Sequence, residues 1–146
     1  MKLLVELLDR DREEEIILRC HEESKALMEE VRSIAERRKT LCGKAEGNIY
    51  RIELSDIFYF ESVDNHSFFY TESRFYESRL KVYEFEELTK NSLFFKASRS
   101  TVVNIRKIKS VRPTFSGKFE HTLLNDYRLE VSRLYVSELK VIMGID

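Results

Sequence analysis

The spacing of apolar residues changes character part-way along this chain. Over residues 22–38 the apolar positions Leu27, Met28, Val31, Ile34 and Ala35 recur at intervals of three and four. That spacing predicts an amphipathic helix with a narrow apolar stripe. Ahead of it, residues 2–8 (KLLVELL) and 15–20 (EIILRC) are short apolar runs separated by the charged stretch 9–14. Each run reads as a strand, and the first is also compatible with the start of a helix. Residues 40–48 (TLCGKAEGN) hold two Gly among polar neighbours and read as a linker.

Beyond the linker the period becomes two. Strands are expected over residues 48–54, 57–63, 67–71, 74–78, 93–97, 102–104, 108–113, 118–124 and 128–131, with turns at Asp64-Asn65, Ser116-Gly117 and Asn125-Asp126. Two short helices interrupt this pattern. Over residues 81–90, Val82, Phe85 and Leu88 are spaced by three with Glu84, Glu86 and Glu87 between them, and residues 136–143 close the chain. The expected fold is mainly β (α+β overall), with a small strand–strand–helix element over residues 1–42 and a β-rich domain over residues 43–146.

Composition supports that reading. With 146 residues, 42% hydrophobic and 35% charged, the chain is long enough for one good core and reads as globular, not disordered. Ten Phe and seven Tyr favour β structure, while a single Pro and four Gly leave the turns to Asn, Asp and Ser. No apolar run approaches the roughly 20 residues that cross a bilayer, and the N-terminus carries acids too early for a signal peptide. Cys20 and Cys42 form neither a metal pattern nor a disulfide framework; they read as reduced thiols of a cytoplasmic protein, although the sequence is also compatible with one bridge between them.

Charge adds the first functional hint. Residues 1–40 carry nine Lys/Arg and eleven Asp/Glu, residues 41–95 six and ten, and residues 96–146 ten and five. The net charge of −1 therefore hides a polarised molecule, and says little against a nucleic-acid partner. Residues 96–112 (KASRSTVVNIRKIKSVR) hold six bases and no acid. The bland reading of such a strip is a solvated strand face. Its chemistry suggests more: Lys96 and Arg99 alternate with Ser98, Ser100 and Thr101, above an apolar face of Val102, Val103, Ile105, Ile108 and Val111. Arg can form a bidentate contact with guanine, while Ser and Lys neighbours bind phosphates. Further on, Ser132 is placed to cap the last helix. Arg133 then stands at a helix N-terminus, where the dipole disfavours a cation and favours an anionic partner.

Catalytic residues are not expected. The chain has no phosphate-cradling Gly loop, nucleophile elbow or metal-binding helix, and His21, His66 and His121 are isolated from one another. Glu61 with Asp64, and Glu84 with Glu86 and Glu87, read as surface charge. No cofactor, metal or small-molecule substrate is predicted.

Three separated blocks, IFYFES, SRSTVVN and VSRLY, stand in an order that resembles the LytTR DNA-binding domain of bacterial transcriptional regulators. The resemblance covers roughly residues 44–146. It implies an elongated antiparallel β fold with short helices that places loops into successive major grooves of double-stranded DNA. Carried over by position, base contacts fall on the His66 loop, Arg99 and Arg133. Asn65, Lys96, Ser98, Ser100, Lys107, Ser132 and Tyr135 fall in or near a phosphate-contacting or supporting surface, and Asn104 matches an Asn expected to hold the loop. The chain departs from the family in having Ser98 where His is frequent, and Asn125-Asp126 where the usual hairpin is Asn-Gly.

The first 42 residues do not resemble a phosphoacceptor receiver domain and are similar instead to the leader of stand-alone LytTR regulators. The apolar stripe of the first helix either packs on the LytTR domain or pairs two chains as a homodimer on repeated sites, and the resemblance allows a membrane-protein partner that sequesters the regulator. The competing class is a β-rich protein-interaction module whose basic strip faces an acidic protein, with RNA binding as a weaker variant.

Overall fold

The structure, a computed structural model, describes residues 2–37, 39–90 and 92–145. Arg38, the expected last residue of the first helix, lies outside the described residues, as do the two terminal residues that the expected domain limits include.

Among the described residues ten strands form two antiparallel sheets. The larger sheet holds β1 (Thr40–Ala45), β2 (Asn48–Glu53), β3 (Tyr59–Val63), β4 (His66–Tyr70), β5 (Phe75–Ser78), β6 (Phe94–Ser98) and β7 (Thr101–Asn104), in the spatial order β2-β1-β5-β4-β3-β7-β6. The smaller holds β8 (Ile108–Pro113), β9 (Phe119–Leu123) and β10 (Arg128–Val131), in the order β10-β9-β8. Helix α1 (Lys25–Arg37) precedes the sheets, α2 (Val82–Leu88) lies between β5 and β6, and α3 (Arg133–Met143) follows β10.

Alternation along β3 and β7 builds two cores. Phe60 and Val102 point one way, where they meet Ile52, Leu54, Ile57, Phe69 and the α2 residue Phe85. The Phe60 and Phe85 rings stack at 4.5 Å, and Phe94 meets Phe85 edge-on at 5.4 Å. Tyr59 and Val103 point the other way, into a cluster with Phe58, Phe95, Ala97, Leu123, Val131 and the α3 residue Leu139. Each buried Phe contributes about 1.5–3 kcal/mol over an exposed one. These two interior strands, covered on both faces, are thus fixed platforms for whatever their ends carry.

Turn chemistry sets the registers. Asp64 and Asn65 both adopt left-handed backbone (φ 51° and 63°), the geometry of a two-residue hairpin that pairs Val63 with His66. Glu46-Gly47 does the same between β1 and β2.

Three expectations need correction. The segment expected to be a linker, 40–48, is strand β1 and the turn after it, and β1 lies between β2 and β5 in the large sheet. Its Gly43 is required by close approach: a Cβ there would stand 2.7 Å from both Ile52 Cδ1 and Tyr76 Cβ. The runs 2–8 and 15–20 form no strand in the structure, and Leu3, Leu4, Val5 and Leu7 are exposed. Among the described residues no strand lies beside them to supply a ladder, so an apolar pattern alone does not make a strand. Helix α1 begins at Lys25, three residues later than expected, with the Ser24 hydroxyl accepting from Leu27 N at 3.4 Å.

Candidate nucleic-acid interface

Antiparallel pairing brings several loops to one end of the large sheet. Strand β3 runs toward that end, where its Val63 is joined to His66 by the Asp64-Asn65 turn. Its neighbour β7 starts there, with Thr101 opposite Glu61, so the Arg99-Ser100 turn between β6 and β7 lies at the same end. Ser62 N donates to Ser100 O at 2.9 Å and ties the two turns together. Ser132 N donates to Ala97 O at 2.9 Å and brings the start of α3 against the end of β6. Four hydrogen-bonded or paired steps thus connect His66, Arg99 and Arg133, which are spread over 68 positions of sequence.

The β6–β7 turn is braced from within. Ser98 Oγ accepts from Ser100 N at 3.3 Å and lies 3.4 Å from Ser100 Oγ, while a bulge between Lys96 and Ser98 re-aims the strand end. Arg99 at its tip is exposed. Ser132 occupies the N-cap position of α3, as expected, but its side chain makes no capping hydrogen bond. Tyr135 N donates to Ser132 O at 2.9 Å, while the Arg133 and Leu134 N–H groups ahead of it keep their capacity for an anion. Arg133, the first residue of the helix, is exposed.

Ion pairing separates these two arginines from most of the basic strip. Lys96 pairs with Glu86 at 3.3 Å, Lys109 with Asp126 at 3.1 Å and Arg112 with Glu120 at 2.9 Å, and the Arg106 guanidinium donates to the Glu29 carbonyl. Among the described residues Arg99 and Arg133 have no such partner, so their charge and their forked donors face outward. His66 is exposed, with Nδ1 3.7 Å from Glu77 Oε1, and Asn65 is exposed beside it.

Other residues picked out by the sequence lie elsewhere. Asn104 is fully buried at the opposite end of β7, where Nδ2 donates to Ile57 O at 2.9 Å and Oδ1 accepts from Arg106 N at 3.1 Å. It holds the start of β3 and the short 3-10 turn Ile105–Lys107, and not the Arg99 turn. Lys107 is at that opposite end too, its ammonium 5.1 Å from the Phe58 ring centroid. The charge of residues 96–112 is continuous in sequence but divided in space, because β7 carries the chain from one end of the sheet to the other.

Lys96 and Tyr135 sit between the two regions. The Lys96 ammonium lies 5.9 Å from the Tyr135 ring centroid and faces a groove of about 930 Å³ between α2, β6 and α3, whose lining includes Glu84, Glu86 and Glu138. Sequence reasoning missed Glu86 as a partner of Lys96. It also missed the β8–β9 loop, whose Gly117 faces the Arg133 side chain: a Cβ added there would stand 3.8 Å from Arg133 Nε. Both proximities join distant segments and leave no local signal.

Behind the loops lie perturbed groups. Burial pushes the Glu61 carboxyl above its usual range. Burial, and a hydrogen bond with Tyr127, push the Tyr59 phenol far up; the Tyr59 ring also stacks on Tyr70 at 4.2 Å. His121, fully buried on β9 with neither ring nitrogen hydrogen-bonded, is pushed down to about 4 by desolvation.

A protein-family model described as the LytTr DNA-binding domain matches residues 47–144. The chain belongs to the LytTR DNA-binding domain family. A transcriptional regulatory protein of Escherichia coli strain K12, YpdB, is 32% identical over 93 residues, covering 63% of this chain and 38% of the relative. The sensory transduction protein LytT of Enterococcus faecalis is 26% identical over 102 residues, covering 70% of this chain and 42% of the relative. The chain thus matches about two-fifths of the length of these relatives. A solved LytTr DNA-binding domain from Bacillus cereus superposes with a TM-score of 0.69 at 24% identity, covering 74% of this chain and 99% of the other. That likeness confirms the mainly β LytTR fold, with antiparallel sheets and short helices.

Proposed function

We propose that this LytTR chain is a cytoplasmic, sequence-specific transcription regulator that reads the major groove of double-stranded DNA with loops. The observation that carries the proposal is the convergence on one end of the sheet of two exposed arginines, Arg99 and Arg133, that have no ion-pair partner among the described residues. Hydroxyls of Ser98, Ser100 and Ser132 and the uncapped start of α3 surround them. Arginine forks suit guanine O6 and N7, while hydroxyls, amides and lysines suit phosphates. His66 and Asn65, on the adjacent turn, contribute a third contact. Lys96 and Tyr135 extend the phosphate surface at its margin.

The test is Arg99→Ala measured on duplexes that the wild-type chain selects from a random pool. Loss of one bidentate guanine contact costs about 1–3 kcal/mol, a roughly 5- to 150-fold loss of selectivity, with salt-sensitive nonspecific binding retained. Unchanged selectivity would refute the assignment. The competing reading, a protein-interaction module with an acidic partner, predicts no steep fall of DNA affinity with salt and no selectivity over random duplex.

The N-terminal element supports a homodimer on repeated sites. Helix α1 rests against the Leu54–Asp56 turn and Arg106, at the end of the sheet away from Arg99, where a second copy would not obstruct DNA. The exposed apolar residues Leu3, Leu4, Ile16 and Ile17 supply contact surface. Sedimentation of the chain alone discriminates: a dimer supports self-association, whereas a strict monomer leaves the element to a membrane-protein regulator.

A further inference from the structure

The β8–β9 loop carries a phenylalanine that no described residue covers. Phe115 is 113% exposed relative to its reference state, more than any other apolar residue given above. Its loop is nevertheless tightly held. Thr114 N and Thr114 Oγ1 both donate to Lys118 O, at 2.8 and 3.0 Å, and Gly117 closes the turn with φ 74°. Covering an apolar ring stabilises by about 1.5–3 kcal/mol, so a partner that meets this loop gains by burying it.

The loop's position says which partner. Phe119 pairs with Val131, so the loop ahead of Phe119 runs alongside the residues that follow Val131, which are Ser132 and Arg133. A Cβ on Gly117 would stand 3.8 Å from Arg133 Nε. Phe115 is two residues from that contact. The flanking cations are neutralised internally, Arg112 by Glu120 and Lys118 by Glu130, and leave Arg133 as the charge that faces the loop at Gly117. A partner that meets Arg133 and Phe115 together must offer an acceptor-rich, negatively charged surface with an apolar feature next to it. In the major groove that apolar feature is the thymine 5-methyl group.

We propose that Phe115 is a specificity-determining DNA contact, its ring packing on the 5-methyl of a thymine next to the base that Arg133 reads. This rests on the proposed reading of DNA by Arg133, and the experiment separates the two. Full-length wild type, Phe115→Ala, Phe115→Leu and Arg133→Ala are titrated against a duplex selected by wild type, and against versions in which each thymine in turn is replaced by uracil. One uracil substitution should weaken wild type about fourfold, the equivalent of one buried methyl. Phe115→Ala should lose at least as much and be indifferent to that same uracil, Phe115→Leu should keep most of the affinity, and random duplex should be bound equally by all three.

Two results would overturn the inference: Phe115→Ala binding as wild type, or a loss that no uracil substitution reproduces, which is the signature of a ring wedged between base steps or against sugar. In either case a selectivity loss in Arg133→Ala would leave the DNA-reading site standing. If Arg133→Ala were also silent, the parent reading would fail with it.

Discussion

Asn104 is where motif and geometry pull apart, and Asn104→Ala measures the difference. The substitution removes two hydrogen bonds from a fully buried site: one to the Ile57 carbonyl at 2.9 Å, one from the Arg106 amide at 3.1 Å. Each bond is worth about 0.5–1.5 kcal/mol net, and leaving the buried partners unmatched raises the cost toward 1–3 kcal/mol apiece. A loss of about 2–4 kcal/mol is therefore expected, a large part of the roughly 5–15 kcal/mol that stabilises a domain. In urea, with a slope of about 1–3 kcal/mol per molar, the midpoint should fall by about 1–2 M. DNA selectivity, measured well below the midpoint and normalised to folded protein, should be unchanged, because Asn104 is separated from the Arg99 turn by the length of β7. A variant as stable as wild type would refute the hydrogen-bond argument. A fully folded variant that had lost selectivity would refute the assignment of Asn104 to the scaffold.

Lys107→Gln should leave the slope of log affinity against log salt unchanged within error, whereas loss of a phosphate contact would lower it by about one. His121, neutral and buried, opposes unfolding less as pH falls, because the unfolded imidazole takes up a proton near 6.5 and the folded one only near 4. From pH 7 to pH 5 the chain should lose about 2 kcal/mol of stability through this group, and the difference between wild-type and His121→Leu urea curves isolates it. Parallel curves would show that His121 is not the titrating group. Glu61 has the opposite sign: its raised folded pKa stabilises the fold at low pH, and that contribution is lost as pH rises through the folded value. Glu61→Gln should therefore be neutral or stabilising at pH 8, checked by thermal unfolding.

From residue 48 onward the strands were legible because each buried face repeats every second residue, and the sheets impose that same period. Strands β8 and β10 were expected over their observed spans, and the others to within a few residues. Strand β1 was hidden by Gly43, which reads as flexibility in sequence but serves close packing against Ile52 and Tyr76. The N-terminal runs show the converse failure, since a short apolar run forms no strand without a neighbouring strand to pair with. Within the site, the identity of Arg99 and Arg133 was legible and their adjacency was not. The bond that brings them together, Ser132 N to Ala97 O, joins positions 35 apart and has no local signature. Lys107 was misplaced for the same reason, as sequence proximity to Arg99 conceals a strand running the other way.

That bond has a second consequence, for solubility. The large sheet has β6 at one edge and β2 at the other. Ser132 N occupies an outward carbonyl of β6, and β10 and α3 pack along the same strand, so this edge cannot accept a foreign strand. Strand β2 has no such cover among the described residues and displays Ile49. Changes that detach Ser132 from β6 would therefore free a second strand edge beside the arginines, and a damaged interface would show itself as aggregation.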